Sequence, residues 1–229
     1  MKDPYLYDDV DVLINLQGIK DQSRLDDFET TMARLAMVDL SRSKVLMTDV
    51  TNIFAIHKKL FERVYAWAGE KRTIDICKNE MILDGISVEY STYTEIDSDL
   101  LKIQNKMDRD DWDNLDKDET ISKIAGYISD VWKVHAFREG NTRTIAVYLS
   151  MLLKSHRLKL DTDFISKHSK YFRNALVMAS LGVYRENQYL EKIIRDSIIE
   201  IDSSKILDDF NTINGYDLSK YQYNYHYRK

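Results

Sequence analysis

A stretch of nine residues, from His135 to Arg143, combines side chains that suit phosphate chemistry. The imidazole of His135 has an unperturbed pKa of about 6.5 and can accept a hydroxyl proton at neutral pH. Glu139 offers the hard oxygen ligand that Mg²⁺ takes when it also binds nucleotide phosphates. This pair predicts phosphoryl or nucleotidyl transfer to a hydroxyl group, in which positioning and charge stabilisation supply most of the rate.

The residues after Glu139 predict an anion-binding site. Gly140 lets the backbone approach an anion closely, and Asn141 is a favoured helix cap that could also orient the loop. A helix that begins here would present unpaired N–H groups and a partial positive charge. Arg143, in its first turn, could reach the same phosphates with its forked donors.

Helices must hold this stretch, because long apolar patterns with helical spacing flank it on both sides. The pattern before it runs from Ile121 to Trp132. The pattern after it, from Ile145 to Leu153, is apolar nearly all round and predicts a central buried helix. Further helices are predicted at residues 21–40, from a cap at Thr48 or Asp49 to Gly69, at 94–107, from a cap at Thr162 to residue 179, and at 190–201.

One segment departs from this helical pattern. Residues 71–93 are rich in β-forming side chains and contain the turn signal Asp84-Gly85. The segment predicts a short β-hairpin or flap. Elsewhere the scarcity of glycine (7) and proline (1) favours a mostly α fold.

Composition limits the possible partners and cellular compartment of the protein. The chain has 229 residues and a formal net charge of −5, which argues against a nucleic-acid partner. It has one cysteine, Cys77, and no apolar run long enough for a signal peptide or a membrane span, so we expect a cytoplasmic protein without a membrane partner. The expected organisation is an N-terminal extension (1–20), one folded domain (21–201), and a C-terminal segment with a tyrosine-rich tail (202–229).

The motif resembles the active-site signature of the Fic family, written H-x-F-x-[D/E]-G-N-x-R-x-x-R. The chain matches it at His135, Phe137, Glu139, Gly140, Asn141 and Arg143. Two upstream stretches, residues 56–61 and 67–73, also resemble the family. The resemblance extends over roughly residues 20–200.

The resemblance implies a Fic fold, a helical bundle around a central buried helix with a β-hairpin flap over the active site. It also implies transfer of AMP from ATP to a Tyr, Thr or Ser hydroxyl of a target protein, with release of pyrophosphate. The target would dock on the flap, about residues 71–93, by strand addition. The implied roles are general base (His135), Mg²⁺ ligand (Glu139), anion hole (Gly140, Asn141, Thr142), phosphate ligand (Arg143) and structural anchor of the loop (Phe137).

Two positions depart from the signature. Ala136 replaces a common proline that does no chemistry, whereas Ala146 replaces the final arginine. In the family this arginine binds ATP phosphates and pairs with an inhibitory glutamate, so we expect weaker ATP binding, by roughly 10- to 150-fold, and no usual autoinhibition. The nearest fit to the inhibitory motif is 182–187, where Glu186 is the candidate regulatory residue.

The sequence also allows other functions. Ala146 favours a non-catalytic nucleotide-binding module, such as one half of a toxin–antitoxin pair. A second alternative is transfer of another phosphate-containing group, although Gly140 and Thr142 differ from the kinase relatives. The tail tyrosines allow self-modification, and His57, on an apolar helical face, is interpreted as a core histidine.

Overall fold

A computed structural model describes residues 3–42 and 46–199, and these residues are mostly helical. The helices are α1 (Gln22–Arg42), α2 (Asn52–Phe61), α3 (Ile96–Met107), α4 (Lys117–Val134), α5 (Asn141–Ser155), α6 (Thr162–Lys167), α7 (Ser169–Ala179) and α8 (Gln188–Asp196). Two short strands, β1 (Lys159–Leu160) and β2 (Ile198–Ile199), form one sheet, and single 3-10 turns lie at Met81–Leu83, Trp112–Asn114 and Gly182–Tyr184. The predicted mostly α fold is confirmed.

The described residues up to Ile198 form one compact unit, and residues 200–229 lie outside the described residues. The predicted tyrosine-rich tail belongs to that part. Residues 3–20 pack on the same core as the helices through Tyr5, Val12 and Leu13. The predicted domain boundaries at residues 20 and 202 stay predictions.

The helix after the motif, α5, is the central element of the bundle. It packs against α2 on one side and α4 on another. Its buried side chains include Ile145, Tyr148, Leu149 and Leu152. The central buried helix is therefore confirmed, and its N-terminus opens toward the flap.

The helix before the motif, α4, begins with a capping box in which Asp116 and Glu119 bond each other's backbone N–H groups. It ends where His135 adopts a left-handed backbone conformation with φ of 49°. This conformation is rare outside glycine and turns the chain sharply. The turn delivers the motif from the end of α4 to the start of α5.

Residues 71–93, the flap, differ from the predicted β-hairpin. The chain does turn at Asp84 and Gly85, but no strand is assigned in the flap. The segments before and after this turn are linked through a side chain, since the backbone N–H of Lys78 donates to Ser87 Oγ at 3.1 Å. β-Forming side chains predicted strands here, whereas the backbone–backbone hydrogen bonds within the flap are confined to the turn at residues 80–86.

Several helix boundaries also differ from the prediction. The helix predicted at 190–201 ends at Asp196 and is followed by β2, and the helix predicted with a cap at Thr48 or Asp49 begins at Asn52. The helix predicted to reach Gly69 ends at Phe61 and continues as turns. The helix predicted from Thr162 to residue 179 is divided at His168 into α6 and α7. Its cap is Asp161, whose carboxylate accepts from the N–H of Phe164 at 2.9 Å.

Candidate active site

The ring of His135 is enclosed by aromatic side chains at the end of α4. The residue is 2% exposed, and the ring of Tyr90 from the flap stacks on it with centroids 4.0 Å apart. Its Nδ1 lies 3.3 Å from the carbonyl oxygen of Trp132. The neutral tautomer with hydrogen on Nδ1 satisfies this contact and leaves the Nε2 lone pair available to a substrate proton.

His135 is held in the neutral form. Burial lowers the pKa of its imidazole, and the positive charge of Lys78 adds to the effect, so that the pKa falls to about 3. The imidazole is therefore an unprotonated proton acceptor throughout the physiological pH range.

The backbone of His135 is fixed by Arg72 at the start of the flap, a residue that is 1% exposed. Its Nε donates to the His135 carbonyl at 2.9 Å, and its backbone N–H donates to the Ala136 carbonyl at 2.8 Å. Its guanidinium also donates to the carbonyls of Ile74 and Ser91, which lie before and after the turn of the flap. Arg72 thus joins the flap to the backbone at His135.

Glu139 lies half-buried between the flap and α5. One carboxylate oxygen lies 2.7 Å from Nζ of Lys78, and the other accepts from the N–H of Gly140 at 3.0 Å. Burial by itself would raise the pKa of Glu139, but Lys78 and the Gly140 N–H lower it to about 2. Glu139 is therefore ionised, and within residues 3–42 and 46–199 no cluster of three or more metal-ligating side chains accompanies it.

Gly140 is the N-cap of α5, with φ of 84°. A Cβ at this position would lie 2.4 Å from Cε2 of Phe61, so both the conformation and the close approach require glycine. The first N–H groups of α5 have no acceptor within the helix, which makes them available to an anion.

The side chain of Asn141 does not cap α5 but bonds the backbone of the motif loop. Its Oδ1 accepts from the N–H of Phe137 at 3.0 Å, and its Nδ2 donates to the carbonyl of the same residue at 2.7 Å. Asn141 thus orients the loop, one of the two predicted options, and only its backbone faces a possible anion. The predicted cap role belongs to Gly140.

Phe137 is 1% exposed and stacks on His57 with ring centroids 3.8 Å apart. His57 accepts from the N–H of Gly69 at 2.8 Å and lies 3.0 Å from the carbonyl oxygen of Glu139. Burial lowers the pKa of His57 to about 4. His57 is therefore a neutral core histidine that supports the motif loop through its contacts with Phe137 and the Glu139 carbonyl.

Arg143 projects from the first turn of α5 and is bound by Glu29 of α1. Its guanidinium also lies 5.0 Å from the ring centroid of Phe61. Glu29 is 6% exposed and accepts a second hydrogen bond from the hydroxyl of Tyr65. Sequence reasoning missed Glu29, although a carboxylate within the apolar stripe of α1 was a signal.

Three more residues near the motif were missed: Lys78, Tyr90 and Arg173. Two lie on the flap and one on α7. Arg173 donates to the hydroxyl oxygen of Thr142 over 3.3 Å and to Glu80 over 2.7 Å. Nothing in their local sequence distinguishes them from solvated surface residues.

Glu186, the candidate regulatory residue, lies between α7 and α8. Its carboxylate accepts from Nε2 of Gln188 at 2.9 Å. Across the described ranges, no hydrogen bond or ion pair connects it to the motif. Ala146 lies on the half-buried face of α5, one turn after Thr142.

Comparison with known proteins places this geometry in a family. The Fic/DOC family profile matches residues 47–153, which include the whole motif. The chain is 31% identical over 187 residues to a "probable protein adenylyltransferase", y4lH of Sinorhizobium fredii, covering 80% of this chain and 90% of that protein. It is also 31% identical over 215 residues to the protein adenylyltransferase VbhT of Bartonella schoenbuchensis, covering 93% of this chain but only 42% of the length of VbhT.

Solved structures share the fold. The BepC protein of Bartonella tribocorum with bound AMPPNP superimposes with a TM-score of 0.71 at 20% identity, covering 85% of this chain and 96% of BepC. An N-terminal Fic domain from Bartonella quintana with bound ADP gives a TM-score of 0.73 at 19% identity, covering 88% and 97%. Fold, motif and the similarity to y4lH along most of both chains lead to one conclusion: this chain belongs to the Fic/DOC family.

Proposed function

We propose that this chain is a protein adenylyltransferase, which transfers AMP from ATP to a hydroxyl side chain of a target protein and releases pyrophosphate. The observation that carries the proposal is the position of His135, a neutral base whose free Nε2 lies at the loop leading into the open N-terminus of α5. The relatives y4lH and VbhT are named for the same activity.

In the proposed reaction, Nε2 of His135 accepts the proton of the target hydroxyl. The hydroxyl oxygen then forms a bond to the α-phosphorus of ATP, and the bond from that phosphorus to the bridging oxygen breaks. The N–H groups at the start of α5 and the guanidinium of Arg143 stabilise the charge that develops on the phosphates. Asn141 and Phe137 hold the loop in the required shape.

Glu139 is suited to hold Mg²⁺, because this ion is commonly bound by one or two carboxylates together with substrate phosphates. Its pKa of about 2 keeps the carboxylate ionised. When bound, the ion would neutralise phosphate charge. Lys78 contacts one oxygen of the same carboxylate, so a bound ion would compete with it.

The flap is the proposed docking surface for the target. Met81 and Ile86 are 85% and 70% exposed there, and the flap backbone is free of strand pairing, which suits strand addition. An antitoxin-like partner and self-modification of the tail tyrosines remain proposals about this chain. We retain the cytoplasm as the proposed compartment. No helix in the described part of the chain is long and apolar enough to cross a membrane.

The test uses ATP labelled at the α- or the γ-phosphate, with Mg²⁺ and a lysate, followed by mass spectrometry of labelled proteins. Wild type should transfer the α-label, and His135→Ala should transfer none. His168→Ala, an exposed histidine on the helical bundle, is the matched control and should behave as wild type. Transfer of the γ-label would indicate phosphate transfer, while ATP binding without transfer would favour a nucleotide-binding module.

A further inference from the structure

The side chain of Arg173 reaches from α7 to the N-terminus of α5. Its Nη1 donates to Oγ1 of Thr142 over 3.3 Å, and its guanidinium carbon lies 5.9 Å from the ring centroid of Trp132. The Trp132 Nε1–H donates to the same hydroxyl over 3.1 Å. Arg173 is therefore positioned beside the second residue of α5, where the helix offers N–H groups to an anion.

The side chain of Arg173 is partly accessible, with 37% of its surface exposed. The other partner of Arg173 is the flap residue Glu80, which is 3% exposed and also accepts from the hydroxyl of Tyr90 at 3.0 Å. This ion pair joins the flap to α7, and the contact of Arg173 with Thr142 extends the connection to the start of α5. A polyanion at the helix N-terminus would compete with Glu80 for the same guanidinium.

Three of the cations near the start of α5 share one arrangement. Lys78 pairs with Glu139, Arg143 pairs with Glu29, and Arg173 pairs with Glu80. Each positive charge is thus neutralised by a carboxylate in the described structure. A triphosphate would replace carboxylates at the arginines, because bidentate guanidinium–phosphate bonds are among the strongest charged hydrogen bonds.

Ala146 lies one helical turn after Thr142, the residue that Arg173 contacts. Side chains at positions i and i+4 of a helix lie on one face and tilt toward its N-terminus. A long side chain at position 146 would therefore extend over Thr142. That space lies beside the guanidinium of Arg173, which comes from another helix.

We propose that Arg173 is a phosphate-binding residue of this site, which binds the triphosphate of a nucleoside triphosphate at the N-terminus of α5 together with Arg143 and supplies the cation that position 146 lacks. The inference rests on the proposed function for its substrate, although its test measures binding alone. It implies that the alanine at 146 does not leave the site one phosphate ligand short.

The test measures the dissociation constants of ATP, inorganic tripolyphosphate and adenosine by isothermal titration. Arg173→Ala should weaken ATP and tripolyphosphate by about tenfold or more, as expected for a lost charged hydrogen bond, and leave adenosine unchanged. Adding Ala146→Arg to Arg173→Ala should restore ATP binding. Lys154→Ala is the charge control, since it removes a positive charge from α5 roughly 18 Å along the helix axis and should have no effect.

A second variant separates phosphate binding from closure of the flap. Glu80→Gln breaks the same ion pair but keeps Arg173 and an acceptor for Tyr90, so ATP binding should be unchanged or tighter. Equal ATP binding by Arg173→Ala and wild type would overturn the inference, and so would a loss in Glu80→Gln as large as that in Arg173→Ala. If wild type binds ATP without transferring AMP, the proposed function fails while the Arg173 comparison still decides this inference.

Discussion

Nζ of Lys78 lies 2.7 Å from a carboxylate oxygen of Glu139, although the two residues are 61 positions apart in the chain. The pair joins the flap to the motif at the one carboxylate proposed to hold Mg²⁺. A bound ion would therefore compete with the Lys78 ammonium group for this carboxylate. Such competition would couple the flap to the proposed chemistry.

The first prediction follows from this competition. Lys78→Ala should lower the Mg²⁺ concentration needed for half-maximal AMP transfer, by about fivefold if the partly exposed pair contributes about 1 kcal/mol. The measurement is the rate of transfer against Mg²⁺ concentration at saturating ATP. Lys71→Ala is the matched control, since this flap lysine pairs with Asp97. An unchanged or higher Mg²⁺ requirement in Lys78→Ala would contradict the prediction.

The second prediction concerns pH. Because burial and then Lys78 lower the pKa of His135 to about 3, the base is already deprotonated near neutrality. The value of kcat/KM should stay level from pH 8 down to about pH 5, without the decline near pH 6.5 expected of an ordinary histidine. Lys78→Ala should move the acidic decline to higher pH. A decline of wild-type kcat/KM centred near pH 6.5 would show that the pKa of His135 is not lowered.

The third prediction concerns Gly140. Alanine at this position would combine φ of 84° with a Cβ only 2.4 Å from Phe61. Gly140→Ala should lower the free energy of unfolding by about 1–3 kcal/mol and reduce transfer strongly, because the start of α5 must shift. Gly126→Ala, inside α4 with no heavy atom within 4 Å of the new Cβ, should instead stabilise the chain by about 0.5–1 kcal/mol. Urea unfolding measures both, and equal stabilities would refute the steric argument.

The fourth prediction concerns the pair formed by Arg143 and Glu29. Arg143→Ala would leave the Glu29 carboxylate, 6% exposed, with Tyr65 as its remaining partner. We expect a loss of about 1–3 kcal/mol in the free energy of unfolding at neutral pH, discounted because Arg143 is partly exposed. Adding Glu29→Gln should recover part of this loss. A double-mutant cycle in urea gives the coupling, and strictly additive losses would mean that the pair is not coupled.

The fifth prediction concerns acid stability. Burial lowers the pKa of His57 from 6.5 to about 4, so the folded state binds fewer protons than the unfolded state between these values. Stability that is present above pH 6.5 is therefore lost as the pH falls toward 4, by on the order of 3 kcal/mol for this group. His57→Gln keeps a donor for the Glu139 carbonyl but does not titrate. Its stability should depend less on pH across this window than that of wild type, as thermal unfolding at pH 4.5, 5.5 and 7 would measure.

The motif and most of the helices follow from local features of the sequence. His135, Glu139 and Gly140 are neighbours in the chain, so their shared position follows from one helix–loop–helix unit. The helical spacing of apolar residues reports burial directly and predicted the central helix α5. The resemblance to the family signature then implies a role for most of these positions.

Tertiary structure alone decided which charges surround the motif. Glu29 lies 114 positions from Arg143, and Arg173 lies 31 positions from Thr142, so only packing brings them together. In the sequence Arg173 is indistinguishable from a solvated surface charge, and Glu29 shows only that it lies within the apolar stripe of α1. The flap shows the same limit, because β-propensity describes how side chains fit a sheet, whereas pairing of its backbone depends on the partners that the fold supplies.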